Sequence, residues 1–143
     1  MLYKNIRHTS FKNIQRIASI YDFPYDEDLM DAFAAVNGGE PVDFKFKYIN
    51  ESGYEFDGIV KRLLSFDPDD NENIEEAMDI IGDLGGTVVP FALDDEDNYI
   101  CYINNDDEAT IKLFDINTCE YYNIYSEHGD DYDVDSFLDD LLS

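Results

Sequence analysis

The stretch VVPFALDDEDNYICYINNDDEATIKLFDINTCEYYNIY, Val88 to Tyr125, decides the fold. Four apolar or aromatic runs lie in it: Val88–Ala92, Tyr99–Ile103, Thr110–Phe114 and Cys119–Tyr125. They are rich in the β-branched and aromatic residues that favour strands. Polar, acid-rich segments separate them at hairpin lengths: Asp94–Asn98, Asn104–Glu108 and Asp115–Thr118. Evenly spaced strands with short turns predict an antiparallel meander.

Upstream, Val42, Phe44, Phe46 and Tyr48 alternate with Asp43, Lys45 and Lys47, the period of a half-buried strand. Asn50–Gly53 reads as a turn, and Tyr54–Phe66 as a longer strand bent or bulged at Gly58. Helical spacing appears elsewhere. Phe11, Ile14, Ile17, Ala18 and Tyr21 form one stripe, with Thr9 or Ser10 as N-cap. Pro24 opens a second helix with Asp26, Glu27 and Asp28 in its first turn, where the helix dipole favours anions. Leu29, Ala32, Phe33 and Val36 are its stripe, and Asn37-Gly38-Gly39 ends it. Ile74, Ala77, Met78 and Ile81 make a third helix, with Asn73 and Glu76 spaced as a capping box and Gly82, Gly85 and Gly86 stopping it. Val134, Phe137, Leu138 and Leu141 make a short closing helix. No repeat or linker divides the chain. The expectation is one α+β domain over residues 1–143, an antiparallel or mixed sheet with helices packed on one face.

Charge narrows the function. The chain carries 34 acidic and 9 basic residues, a formal net charge of -25. Eleven Tyr and ten Phe supply enough apolar surface for a core despite that charge. Neither a nucleic-acid partner nor binding to anionic membrane surfaces is expected from this balance, because phosphates need Lys and Arg. Charge is also polarised. The first sixteen residues hold Lys4, Arg7, Lys12 and Arg16 and no acid, while no Lys or Arg follows Lys112. The N-terminal residues lack an apolar stretch of signal-peptide length, so a cytoplasmic location is expected. Cys101 and Cys119, in strand-like segments without Cys-x-x-Cys spacing, are then expected to be free, half-buried thiols.

No catalytic or metal pattern stands out. Counted from Asp95, Asp97 and Asp106 fall at positions three and twelve of a calcium loop, but Tyr99 and Ile100 occupy positions that need an oxygen ligand and a Gly. His8 and His128 have no partner at ligand spacing. No Gly-x-Ser-x-Gly elbow accompanies them. Gly85-Gly86 follows a helix and precedes a strand, the reverse of a phosphate loop. Neither enzyme activity nor a cofactor is expected, and a carboxylate-dependent hydrolase ranks last for want of any motif.

Three segments together resemble the SUKH superfamily, which groups bacterial immunity proteins with the fungal Smi/Knr cell-wall regulators. The first is Phe23-Pro24 through Leu29 and Phe33 to Asn37-Gly38-Gly39. The second is Val89-Pro90-Phe91-Ala92, an acidic turn, then Asn98-Tyr99-Ile100-Cys101-Tyr102. The third is Ser136-Phe137-Leu138 with Leu141-Leu142. Their order and spacing fit over roughly residues 9 to 142. The sequence departs from the pattern in having no Trp and in a central turn of Asp94, Asp95, Glu96 and Asp97 without Gly. The resemblance implies a non-enzymatic immunity protein that binds and neutralises a cognate toxin, with a regulatory protein-binding adaptor of the Smi/Knr type as the alternative.

The charge fits the first reading. Self-repulsion among so many acids opposes compaction; complementarity to a basic toxin, such as a nuclease, is the simplest functional use for it, and a solvated surface that keeps the protein soluble is the plain alternative. The candidate partner-binding residues are Asp94, Asp95, Glu96, Asp97, Asp106, Asp107, Glu108, Asp130, Asp131 and Asp133. Tyr121, Tyr122, Tyr125 and Tyr132 are candidate anchors, although strand alternation directs some of them into the core.

Overall fold

A computed structural model of the chain describes residues 2–20, 27–50, 52–82, 88–105 and 108–142. In chain order the elements are β1 (Tyr3–Lys4), α1 (Phe11–Ile20), α2 (Glu27–Val36), β2 (Glu40–Pro41), β3 (Lys45–Ile49), β4 (Glu55–Leu63), α3 (Ile74–Ile81), β5 (Val88–Asp94), β6 (Tyr99–Asn105), β7 (Glu108–Asp115), β8 (Glu120–Ser126) and α4 (Val134–Leu142).

The helix ends follow local chemistry. At the start of α1 the Ser10 carbonyl accepts the Asn13 N–H at 3.1 Å, and Ile14 and Ile17 form the buried stripe. Gly38 ends α2 at φ +64. Asn73 caps α3 by accepting the Glu76 N–H at 2.8 Å, and Gly82 closes it in the left-handed region. Asp133 does the same for α4, accepting the Ser136 N–H at 2.8 Å. Tyr21, Phe23, Pro24, Asp26, Gly85 and Gly86, which entered the helix and motif readings, lie outside the described residues.

The expected α+β layer of a sheet with helices packed on one face is incorrect. Strands β3 to β8 form a closed antiparallel barrel in chain order, and β1 and β2 pair separately. Closure is made by β3, which pairs with β4 on one side, from Lys45↔Ile59 to Ile49↔Glu55. On the other side it pairs with β8, from Phe46↔Ser126 to Ile49↔Asn123. The long strand β4 serves two neighbours. Its first part lies on β3 and its last part, Val60–Leu63, lies on β5, with a register shift between Val60 and Arg62. A shift of this kind bends a strand and increases its twist, so a six-stranded sheet coils until its first strand meets its last.

The bend was expected at Gly58, but that residue is a regular partner of Phe46. Its missing side chain serves packing, since a Cβ there would lie 2.4 Å from Phe46 Cζ. Gly58→Ala should therefore destabilise the fold by about 2 kcal/mol through overpacking. In urea denaturation, adding Phe46→Leu to Gly58→Ala should restore part of that loss. Simple additivity of the two substitutions would show that the ring is not what Gly58 accommodates.

One main core joins barrel and helices. Phe46, Tyr48, Val60, Ile100, Leu113 and Ile124 from the barrel pack with Ile14, Ile17, Phe33, Phe137 and Leu141 from α1, α2 and α4. Phe91 of β5 makes edge contacts with Phe33 at 6.4 Å and Phe137 at 6.1 Å, fastening two helices to the barrel wall. A smaller cluster of Cys101, Ile103 and Phe114 packs with Ile81 of α3 and Val88. Strand β5 is buried along nearly its whole length: Val89, Phe91, Ala92 and Leu93 belong to the main core, and α3 packs against the strand.

Polar groups lock the helix–barrel junction. Buried Asn37 donates from Nδ2 to the Arg7 carbonyl and to Ser65 Oγ, each at 3.0 Å, and its Oδ1 accepts the Phe66 N–H at 2.9 Å. Ser65 Oγ in turn donates to Asp70 Oδ2 at 2.7 Å. Both cysteines are free, but neither is half-buried as expected. Cys101 is buried, which pushes its thiol pKa well up, and Cys119 is exposed on the β7–β8 turn.

Candidate interaction surface

Alternating strand directions sort the acidic segments. The turns joining β3–β4, β5–β6 and β7–β8 lie at one end of the barrel. The β6–β7 turn and the segment between β8 and α4 lie at the other. The ten candidate residues are therefore not one patch. Asp94, Asp95, Glu96 and Asp97 belong to the first end, whereas Glu108, Asp130, Asp131 and Asp133 belong to the second. Asp106 and Asp107 lie outside the described residues.

At the first end, Asp94 organises the turn from within it. Only 1% of its surface is exposed. Its Oδ1 accepts the N–H groups of Glu96 at 2.9 Å and Asn98 at 2.8 Å, while its own N–H donates to the Asn98 carbonyl at 3.0 Å. Burial pushes its carboxyl up to about 6, and the donated N–H bonds only partly offset this. Asp95 N–H donates to the Ile59 carbonyl at 3.1 Å, pinning the turn to β4. Asn98 Oδ1 accepts the Ile116 N–H at 3.3 Å, tying it to the neighbouring turn. The side chains of Asp95, Glu96 and Asp97 remain exposed, and Asp97 meets Lys61 at 2.9 Å.

Aromatic rings lie beside these acids. Tyr48 stacks between Phe56, at 5.2 Å, and Tyr122, at 6.1 Å. Burial, with the field of Glu96, Asp94, Asp115 and Asp95, pushes the Tyr48 hydroxyl up to about 12. The Tyr122 hydroxyl donates to Glu120 at 3.1 Å. Tyr48 and Tyr122 are buried, but Phe56 is 42% exposed and Tyr54, on the adjoining turn, 68%. Of the four tyrosines expected as anchors, Tyr121 is exposed, Tyr125 and Tyr132 are half-buried and Tyr122 belongs to the core.

At the second end, Glu108, Asp130, Asp131 and Asp133 are exposed. Three of them converge: Glu108, Asp131 and Asp133 line a groove of about 320 Å³ whose floor includes Ile111, Ile124 and Tyr125. The Ser136 N–H bond that makes Asp133 a helix cap also lowers its carboxyl pKa. None of the three acids has an ion-pair partner among the described residues. Elsewhere several bases hold acids: Arg16 holds Glu75 at 2.5 Å, Arg62 holds Glu72 at 2.8 Å and Glu40 at 3.2 Å, and Lys47 holds Glu55 at 2.6 Å.

Among the described residues no group of three or more His, Cys, Asp or Glu side chains could hold a metal ion. No described helix is long and apolar enough to cross a membrane. No family model, curated protein or solved structure matches the chain.

Proposed function

We propose that this chain is a cytoplasmic immunity-type protein that binds a basic toxin domain, such as a nuclease, and neutralises it stoichiometrically without chemistry of its own. The observation that carries the reading is the net charge of -25, with exposed acids at both ends of a closed barrel. A rigid acidic body attracts a cationic macromolecule over distances of about a Debye length, roughly 10 Å at moderate salt, and repels other acidic proteins. Exposed rings at the first end, Tyr54 and Phe56, offer apolar anchoring area beside the acids. The resemblance to SUKH immunity proteins supports the same reading, and two of its three segments fall wholly on described residues, on β5–β6 and α4.

Affinity capture from the source strain with the purified domain, followed by co-expression rescue, tests it. The expected prey is a protein with a basic toxin domain, whose toxicity the chain suppresses. A host signalling protein as the captured partner would favour the adaptor alternative. Charge steering makes a further prediction: the association rate constant should fall by about tenfold or more between low and physiological salt, with dissociation changing less. Stopped-flow mixing measures both, and a salt-independent association rate would remove electrostatic steering from the account.

A further inference from the structure

The last barrel seam is only partly zipped. The β7–β8 ladder runs from Asp115↔Glu120 to Lys112↔Asn123 and stops there. Beyond it the chain after β8 turns back: Ser126 N–H donates to the Asp130 carbonyl at 2.9 Å, and Tyr125 bridges Asp131. That returning segment takes the side of β8 that β7 would otherwise occupy. Residues Glu108–Ile111 of β7 pair with β6 on one side, from Asn105↔Glu108 to Tyr102↔Ile111, but have no ladder partner on the other among the described residues. The groove described above runs along this free edge.

We propose that the edge of β7 over Glu108–Ile111 takes up an extended, basic segment of the partner protein as an added strand. Main-chain bonds to an open edge supply affinity in this mode, and flanking side chains supply selectivity. The flanking groups here are Glu108, Asp131 and Asp133, so alternate Lys or Arg side chains fit them. A second copy of this chain is the natural competitor for an open edge, but each copy carries a net charge of -25 and the groove walls are acidic. The proposal rests on the basic-partner reading and adds where and how that partner docks.

The test uses the full chain and a capped octapeptide of alternating Lys and Val. Companion peptides carry N-methyl groups on every second amide, in each of the two phases, or Glu in place of Lys. Titrations at low salt are followed by amide NMR and hydrogen exchange. The expected result is shifts and slowed exchange at residues 108–111, with binding weakened about tenfold by methylation in one phase only. Glu108→Lys with Asp131→Lys should weaken the parent peptide by a similar factor, and the Glu peptide should not bind. Equal binding of parent and both methylated peptides, or shifts confined to the 94–98 and 116–119 turns, would overturn strand addition while leaving a basic partner in place. Dimerisation through residues 108–111 without peptide would assign the edge to a second copy and also overturn it. Failure of the Lys peptide to bind at all overturns strand addition, whereas the basic-partner reading stands or falls on the capture experiment.

Discussion

Asn37→Ala should lower stability by about 4 kcal/mol, the largest loss expected from any single substitution considered for this protein. The side chain is buried and makes three hydrogen bonds, one to Arg7 and two to the adjacent residues Ser65 and Phe66, so it ties two distant parts of the chain to the end of α2. Alanine leaves the Phe66 N–H and the Arg7 carbonyl without this partner, in a place too tight to exchange it freely for water. Each such orphan costs about 1–3 kcal/mol, and Ser65 loses one of its bonds as well. For a chain of this size the melting temperature should fall by about 12 °C. Ser65→Ala should cost less, because its remaining partners, Asp70 and the Asp67 N–H, lie nearer the surface. The two substitutions together should cost less than their sum, since both remove the bond between them. Urea denaturation of the four variants in the cycle measures this. A loss below about 1 kcal/mol for Asn37→Ala would mean that the junction is not what holds α2 to the barrel.

The second large effect depends on pH. Asp94 ionises near 6 in the folded protein, against 3.8 ordinarily. The folded state therefore holds this proton over a range in which the unfolded chain has released it. Its contribution is fully present below about pH 4 and is lost as pH rises through 6. The difference between 3.8 and about 6 corresponds to about 3 kcal/mol. Asp94→Asn removes the titration while keeping an oxygen for the Glu96 and Asn98 N–H groups. The stability difference, parent minus variant, should fall by about that amount between pH 3.5 and pH 7 and stay flat above it. Any clash between the new amide and Asn98 Nδ2 adds a constant offset and leaves the slope unchanged. A difference that does not vary with pH would show that burial leaves this carboxyl unperturbed.

These two residues show where sequence reading succeeds and where it stops. The strands of the meander are legible because each couples a β-favouring run to a polar turn, and they appear within one or two residues of the expected places. Helices α1 and α3 are legible from apolar spacing and caps, and α4 from apolar spacing alone. Closure is not, because inward and outward residues alternate in a barrel wall as they do in an open sheet. The register shifts that bend the wall, at Val60–Arg62 of β4 and Pro90–Ala92 of β5, are marked by no Gly, and the β3–β8 pairing that closes the barrel joins strands far apart in the sequence. Asn37 reads correctly as a helix end, but its buried role needs Arg7 and Ser65, which only the tertiary fold brings near. Asp94 looks identical to its acidic neighbours. The available signal is Asn98 four residues on, the spacing of a side chain closing its own turn. Asp133 is hidden in an acid run in the same way, although an Asp immediately before the first apolar residue of a helix is an N-cap signature. The groove between β7 and the 131–133 segment has no sequence signal, since it arises from a ladder that ends early.

The closing seam between β3 and β8 has a consequence for biosynthesis. The first wall strand leaves the ribosome long before its final neighbour exists, so the nascent chain carries an unsatisfied β3 rim throughout most of translation. Such a rim invites pairing between neighbouring nascent chains on a polysome. The intervening sequence adds far more acids than bases, and like-charge repulsion opposes such pairing until Phe46 can meet Ser126. Excess negative charge thus works against that mispairing before any partner is met.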